Sequence, residues 1–95
     1  MAVKIILQRY IPENAQEEVF PLFMKLRAIA MGQEGYISGE TLRNFEDSKD
    51  YLVISTWRSV EDWKAWEASA ARNQIQSGID SILEKKTQYK IYQYI

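Results

Sequence analysis

The segment from Trp57 to Ser69, WRSVEDWKAWEAS, carries the most chemical character in this chain, because it holds all three tryptophans. Two amides, Asn73 and Gln76, follow it closely. An indole offers a flat apolar face and an amide can hydrogen-bond an oxygen of a bound molecule. The same residues could also pack a helix on a sheet or face solvent, and the sequence leaves both readings open. Other chemistry is removed by composition. With Cys 0 and His 0 there is no thiolate, no imidazole base and no Ser-His-Asp or Cys-His set. Every common zinc ligand set fails, as does histidine or thiolate ligation of haem. There is no glycine-rich phosphate loop. Glu46, Asp47 and Asp50 have turn composition rather than calcium-loop spacing, so no metal is expected.

The 95 residues leave room for one domain, 1–95. A domain of this size buries only roughly 60–65% of the surface its unfolded chain exposes and is marginal alone. Disulfides and a zinc site are excluded, so a partner subunit remains as the source of extra stability. The 12 Lys+Arg against 13 Asp+Glu give a formal net charge of −1, without the basic excess of a nucleic-acid partner. No apolar run approaches the ~20 residues of a membrane span. The start, Met1-Ala2-Val3-Lys4, runs straight into a strand pattern rather than a signal peptide, and a cytoplasmic protein is expected.

The elements that must position these residues follow from periodicity. VKIILQRYI (3–11) alternates, with Val3, Ile5, Leu7 and Ile11 on one face, interrupted by Arg9, and Ile6 and Tyr10 on the other. Pro12 breaks the strand, and Asn14 with Glu17 predicts a helix cap. Val19, Leu22, Phe23, Leu26, Ile29 and Ala30 then keep helical spacing; Pro21 predicts a kink or a later start, and Gly32 and Gly35 stop the helix. YISGETLR (36–43), the polar turn NFEDSKD (44–50) and YLVISTW (51–57) read as a hairpin. Ser59 with Asp62 opens a second helix through Trp63 and Trp66, and Ile75, Ile79, Ile82 and Leu83 continue helical spacing past Gly78. TQYKIYQYI (87–95) closes the chain as a tyrosine-rich strand. The order βαββαβ, with the second helix long or split, is the ferredoxin-like α+β plan of a four-stranded antiparallel sheet with helices on one face. Strands apolar on both faces, with helix enough for one, predict a second sheet on the bare side, supplied by a two-fold homodimer.

The strand ending in Trp57, the Ser59-Val60-Glu61 helix start and the second tryptophan at Trp66 resemble the antibiotic biosynthesis monooxygenase family. The Gly35-Tyr36 turn is similar to that family's Pro-Gly turn, with Gln33-Glu34 replacing the usual lead-in. The resemblance covers nearly the whole chain in element order. It implies a dimeric α/β barrel in which two sheets pack face to face. It also implies a monooxygenase that acts on a small phenolic or quinol-type aromatic without metal or flavin. Such a site must hold a flat aromatic, help remove its proton and stabilise the anion.

On that basis Trp66, Asn73 and Gln8 are the candidate catalytic residues, and Trp63, Gln76 and Tyr92 the candidate substrate-binding residues. Trp66 would be a pocket wall and Trp63 a second, with helix-on-sheet packing the alternative for both. Trp57 is expected in the core or at an interface. Gln8 falls near the place where haem-degrading relatives carry a functional Asn, and Gln76 stands where they carry the haem-ligating His, which argues against haem breakdown. Arg9, on the face opposite Gln8, should pair with an acid, Glu40 or Glu67, or meet a substrate anion. Tyr92 and Tyr94 share a face that either packs between copies or reaches a pocket. The alternative function is a non-catalytic small-ligand-binding or stress-response barrel, since fold does not settle function.

Overall fold

Strand pairing begins where the alternation is strongest. The computed structural model describes residues 1–95. β1 (Val3–Tyr10) alternates buried and half-buried along its whole length, the signature of a central strand with two different faces. It pairs antiparallel with β3 (Asp50–Trp57) on one side and β4 (Gln88–Gln93) on the other, and β2 (Tyr36–Arg43) pairs with β3. The sheet order is β2-β3-β1-β4. This is the expected ferredoxin-like α+β arrangement, with every neighbouring pair antiparallel.

One face is covered by α1 (Gln16–Met31), α2 (Val60–Glu67) and α3 (Ala70–Ile82). The core lies there: Ile5, Ile11, Val19 and Ile79 are fully sealed, and Trp57 is nearly so. Trp57 packs edge-on against Tyr36 at 5.4 Å and Trp63 at 5.8 Å, and its indole N–H donates to Ser55 Oγ at 3.1 Å. The other face carries Ile6, Leu52 and Ile54, half-buried, with Leu42 and Tyr92 exposed. No helix is long and apolar enough to cross a membrane.

Ser59 caps α2 as expected: its Oγ accepts from the Asp62 N–H at 3.1 Å and donates to Asp62 Oδ2 at 3.0 Å. The second helix is split, because Ser69 starts α3 by accepting from the Arg72 N–H at 3.2 Å. At Gly35 the backbone has φ +86, and a Cβ would collide with Asp62, so the turn into β2 requires glycine. Arg58 ties this turn to α2, bonding Glu34 and Asp62.

One expectation is corrected and another is narrowed. Asn14 does not cap the first helix. It lies inside a 3₁₀ turn, Glu13–Ala15, which closes on the Pro12 carbonyl, and α1 begins after it with no side-chain cap. An N-cap side chain needs extended backbone at its own position, and the turn takes that away. Of the two outcomes expected at Pro21, a kink or a later start, the later start does not occur. Pro21 sits one turn inside α1, where only one helical bond is lost.

Candidate functional site

Small residues in the sheet decide where the cavity forms. The β2–β3 register places Gly39 beside Ser55 and Thr41 beside Val53 on the helix-covered face. Above them α1 presents Phe20, Phe23 and Met24, which do not fill the space. The result is a cavity of about 370 Å³ between α1 and the β2–β3 half of the sheet. Gly39 keeps it open locally, since a Cβ there would stand 2.6 Å from the Tyr36 hydroxyl oxygen. Arg27 Nη2 crosses from α1 to the Gly39 carbonyl at 3.2 Å.

The far wall is aromatic. Trp63 and Trp66, three residues apart, turn the same side of α2 toward the sheet, and both are buried and line the cavity with Trp57. Two lining atoms are sealed from solvent without a hydrogen-bond partner, the Tyr51 hydroxyl and Trp63 Nε1. Orphaned buried polar groups are uncommon and costly, and here both belong to residues that line the cavity.

Arg9 from β1 and Arg72 from α3 complete the lining, each only 4% exposed. Arg9 does not pair with Glu40 or Glu67, which corrects the expectation. The register puts Glu40 beside Ile54, on the bare face of the sheet, and Arg9 has no carboxylate within 4.0 Å. It donates instead to Gln76 Oε1 at 3.0 Å and to Thr87 Oγ1 at 3.4 Å, with its guanidinium 4.6 Å from the Phe23 ring centre. Gln76 Nε2 in turn donates to Asp80 at 2.9 Å, so the nearest negative charge reaches Arg9 at second hand. Burial pushes the Arg9 guanidinium down to about 10; Arg72 adds to the fall, and Tyr89 and Asp80 oppose it. Arg72 donates to the Tyr89 hydroxyl and lies over the Trp63 and Tyr89 rings, at 5.6 and 5.2 Å.

The structure thus brings Trp63 and Trp66 together at the cavity and places Gln76 directly behind Arg9. It does not bring Gln8, Asn73 or Tyr92 there. Gln8 is on the bare face, donating to Tyr10 Oη and Asp50 Oδ1. Tyr92 pairs with Lys4 on that same face. Asn73 is exposed on α3, one residue round from buried Arg72. Sequence reasoning missed Arg72 and Tyr51. Arg72 carries a signal: with Ile75, Gln76 and Ile79 it completes the buried stripe of α3 at spacings of three and four. Tyr51 shares a face with Val53, Ser55 and Trp57, but nothing in its spacing tells a cavity from a core.

Comparisons with known proteins agree with this geometry. The family profile described as antibiotic biosynthesis monooxygenase matches residues 2–77. A conserved protein from Methanosarcina mazei Go1 superposes with a TM-score of 0.93 at 17% identity, covering 100% of this chain and 94% of that one. SnoaB, a cofactor-independent oxygenase from Streptomyces nogalater, gives 0.87 at 14% identity, over 99% and 93%. A structure described as an antibiotic biosynthesis monooxygenase gives 0.87 at 15%, over 98% of each chain. At these identities the likeness shows the fold alone. A sequence comparison with curated proteins gave no match.

Proposed function

The chain belongs to the antibiotic biosynthesis monooxygenase family, and from that premise we propose that it oxygenates a small phenolic or quinol-type aromatic with dioxygen, in the cavity beneath α1. One observation carries the reading: a cavity of about 370 Å³ walled by indoles also holds two buried guanidiniums. The volume lies toward the lower end of the range of roughly 300–1,000 Å³ for small-molecule sites, which suits one or two rings.

The chemistry asks for little more. An ionised phenol or hydroquinone can pass an electron to dioxygen directly. Recombination places a hydroperoxide on a ring carbon that bears hydrogen, and loss of water leaves a carbonyl there. One oxygen atom enters the ring, the other leaves as water, and the substrate supplies all the electrons. The protein must favour the anion and hold the ring flat. Arg9 and Arg72 would stabilise the developing oxyanion in a site with little water, where a fixed cation counts for more than in bulk solvent. Trp63 and Trp66 would sandwich or flank the ring. Gln76 would hold Arg9 in place rather than touch substrate.

A homodimer accompanies this reading. Ile6, Leu52 and Ile54 form an apolar strip on the bare sheet face, bordered by Leu42 and Tyr92, and a second copy of the sheet would cover it.

Oxygen uptake by the pure folded protein over a panel of hydroquinones and phenols tests the proposal. Uptake above the buffer rate, with a product that has gained one oxygen and lost two hydrogens, is expected for at least one compound. A folded dimer with no uptake across the panel sinks it. A compound retained through purification without turnover would support a binding protein instead.

A further inference from the structure

Arg9 and Arg72 stand in the cavity as cations without direct counter-ions. Neither has a carboxylate within 4.0 Å, and the only acidic residue among the lining, Glu40, is exposed and turned by the strand register to the bare face. Asp80 reaches Arg9 only through Gln76, and Arg72 has no comparable relay. A guanidinium carries five N–H donors. Arg9 uses two groups, Nε and Nη2, and Arg72 uses one, Nη2. The hydroxyls of the lining residues Tyr36, Thr41 and Ser55 can donate or accept. Trp63 Nε1 is a donor only, and the sealed Tyr51 hydroxyl has a proton to give.

A cavity lined by two buried cations without a direct counter-ion suits an acceptor that carries charge before any reaction begins. We propose that the ligand is a planar aromatic bearing a permanently ionised acid group, a carboxylate, which Arg72 and Arg9 receive while the ring lies against Trp63 and Trp66. A carboxylate can take two parallel N–H bonds from a guanidinium, which a neutral hydroxyl cannot. The inference takes the cavity of the proposed function as the ligand site, and adds the charge class of what enters it.

Binding, not turnover, tests it, so the measurement is made under argon. Tryptophan fluorescence or calorimetry would compare benzoate, gentisate and naphthoate with their neutral amides, which keep ring and size. Each acid is expected to bind roughly tenfold or more tighter than its amide. The advantage should vanish in Arg72→Met and shrink in Arg9→Met, while Arg72→Lys keeps part of it. Amides that bind as well as the acids, or no binding by any of the acids, would overturn the proposal. The wild-type comparison decides it even if a variant fails to fold. Oxygen uptake on neutral hydroquinones without any preference for acids would leave the monooxygenase reading standing and remove this one. Acid preference without uptake on any compound would do the reverse.

Discussion

The two faces of the sheet are made from the same strands and alternate residue by residue, yet they have opposite characters. On the helix-covered face, Val3, Ile5, Leu7 and Arg9 are buried; on the bare face their neighbours Lys4, Ile6, Gln8 and Tyr10 are half-buried. The covered face leaves its polar groups under-satisfied, with Arg9 lacking an acid and Tyr51 lacking any partner. The bare face satisfies its own: Lys4 donates to Thr56 at 2.9 Å, and Gln8 donates to Asp50 at 3.0 Å. Unsatisfied polar groups inside and satisfied ones outside are the reverse of what stability alone favours. This contrast is what supports the proposed ligand site on the covered face, and the bare face is suited to packing.

The largest expected effect comes from the covered face. Trp57→Ala removes the ring between Tyr36 and Trp63, and should cost about 3–5 kcal/mol of stability. Urea denaturation measures it; a loss below 1 kcal/mol, on the order of a surface change, would mean the aromatic wall is not part of the core. Next comes Arg72→Met. Loss of one preorganised cation from a reacting anion is worth roughly a hundredfold in kcat/KM. The melting temperature should hold or rise, because an apolar side chain replaces a buried charge. A variant that loses stability along with activity would make Arg72 structural.

The pH dependence follows from Arg9. Burial holds its folded pKa near 10, below that of the unfolded chain, so the protonated form costs stability below that pH and the cost is relieved above it. Catalysis runs the other way. The cation is present through the neutral range, and kcat/KM should fall as pH passes about 10. An Arg9→Lys profile that falls at the same pH would show that another group controls the limb.

On the bare face, Ile54→Lys places a charge in the centre of the apolar strip. The proposed dimer predicts that light scattering reports twice the chain mass for the wild type and the chain mass for this variant, since an unpaired charge in such an interface is costly. An unchanged mass would show that this strip is not the contact.

The fold was legible because its signals are local and periodic. Alternation in 3–11, the Ser59–Asp62 cap and the Gly32 stop each read directly as the elements that form. What failed at Asn14 was a competition: Pro12 favoured a 3₁₀ turn, and a single cap residue could not show it. The site was legible only in part, because a cavity is made by what is missing. Trp63 and Trp66 could be singled out by type. The space beside them depends on Gly39 meeting Ser55 across a register that no single strand reveals. Arg72 was within reach, since its place on the α3 stripe is plain once Ile75 and Ile79 are taken together. The same stripe shows why Asn73 turns outward.

Gln8 gives the smallest expected effect and the finest test of the two-face division. Its position in β1 is adjacent to Arg9, so a site on both faces would make the two residues equally sensitive. The geometry separates them: Gln8 spends its amide on Tyr10 and Asp50, outside the cavity, while Arg9 lines it. Gln8→Ala should change oxygen uptake by less than about threefold and stability by about 1 kcal/mol, the net worth of a lost hydrogen bond. Arg9→Met should lower kcat/KM by roughly tenfold or more with little loss of stability. A large activity loss in Gln8→Ala that survives in a confirmed dimer would carry the reacting centre across to the bare face, between the two copies. It would then be the indole-walled cavity that needed another explanation.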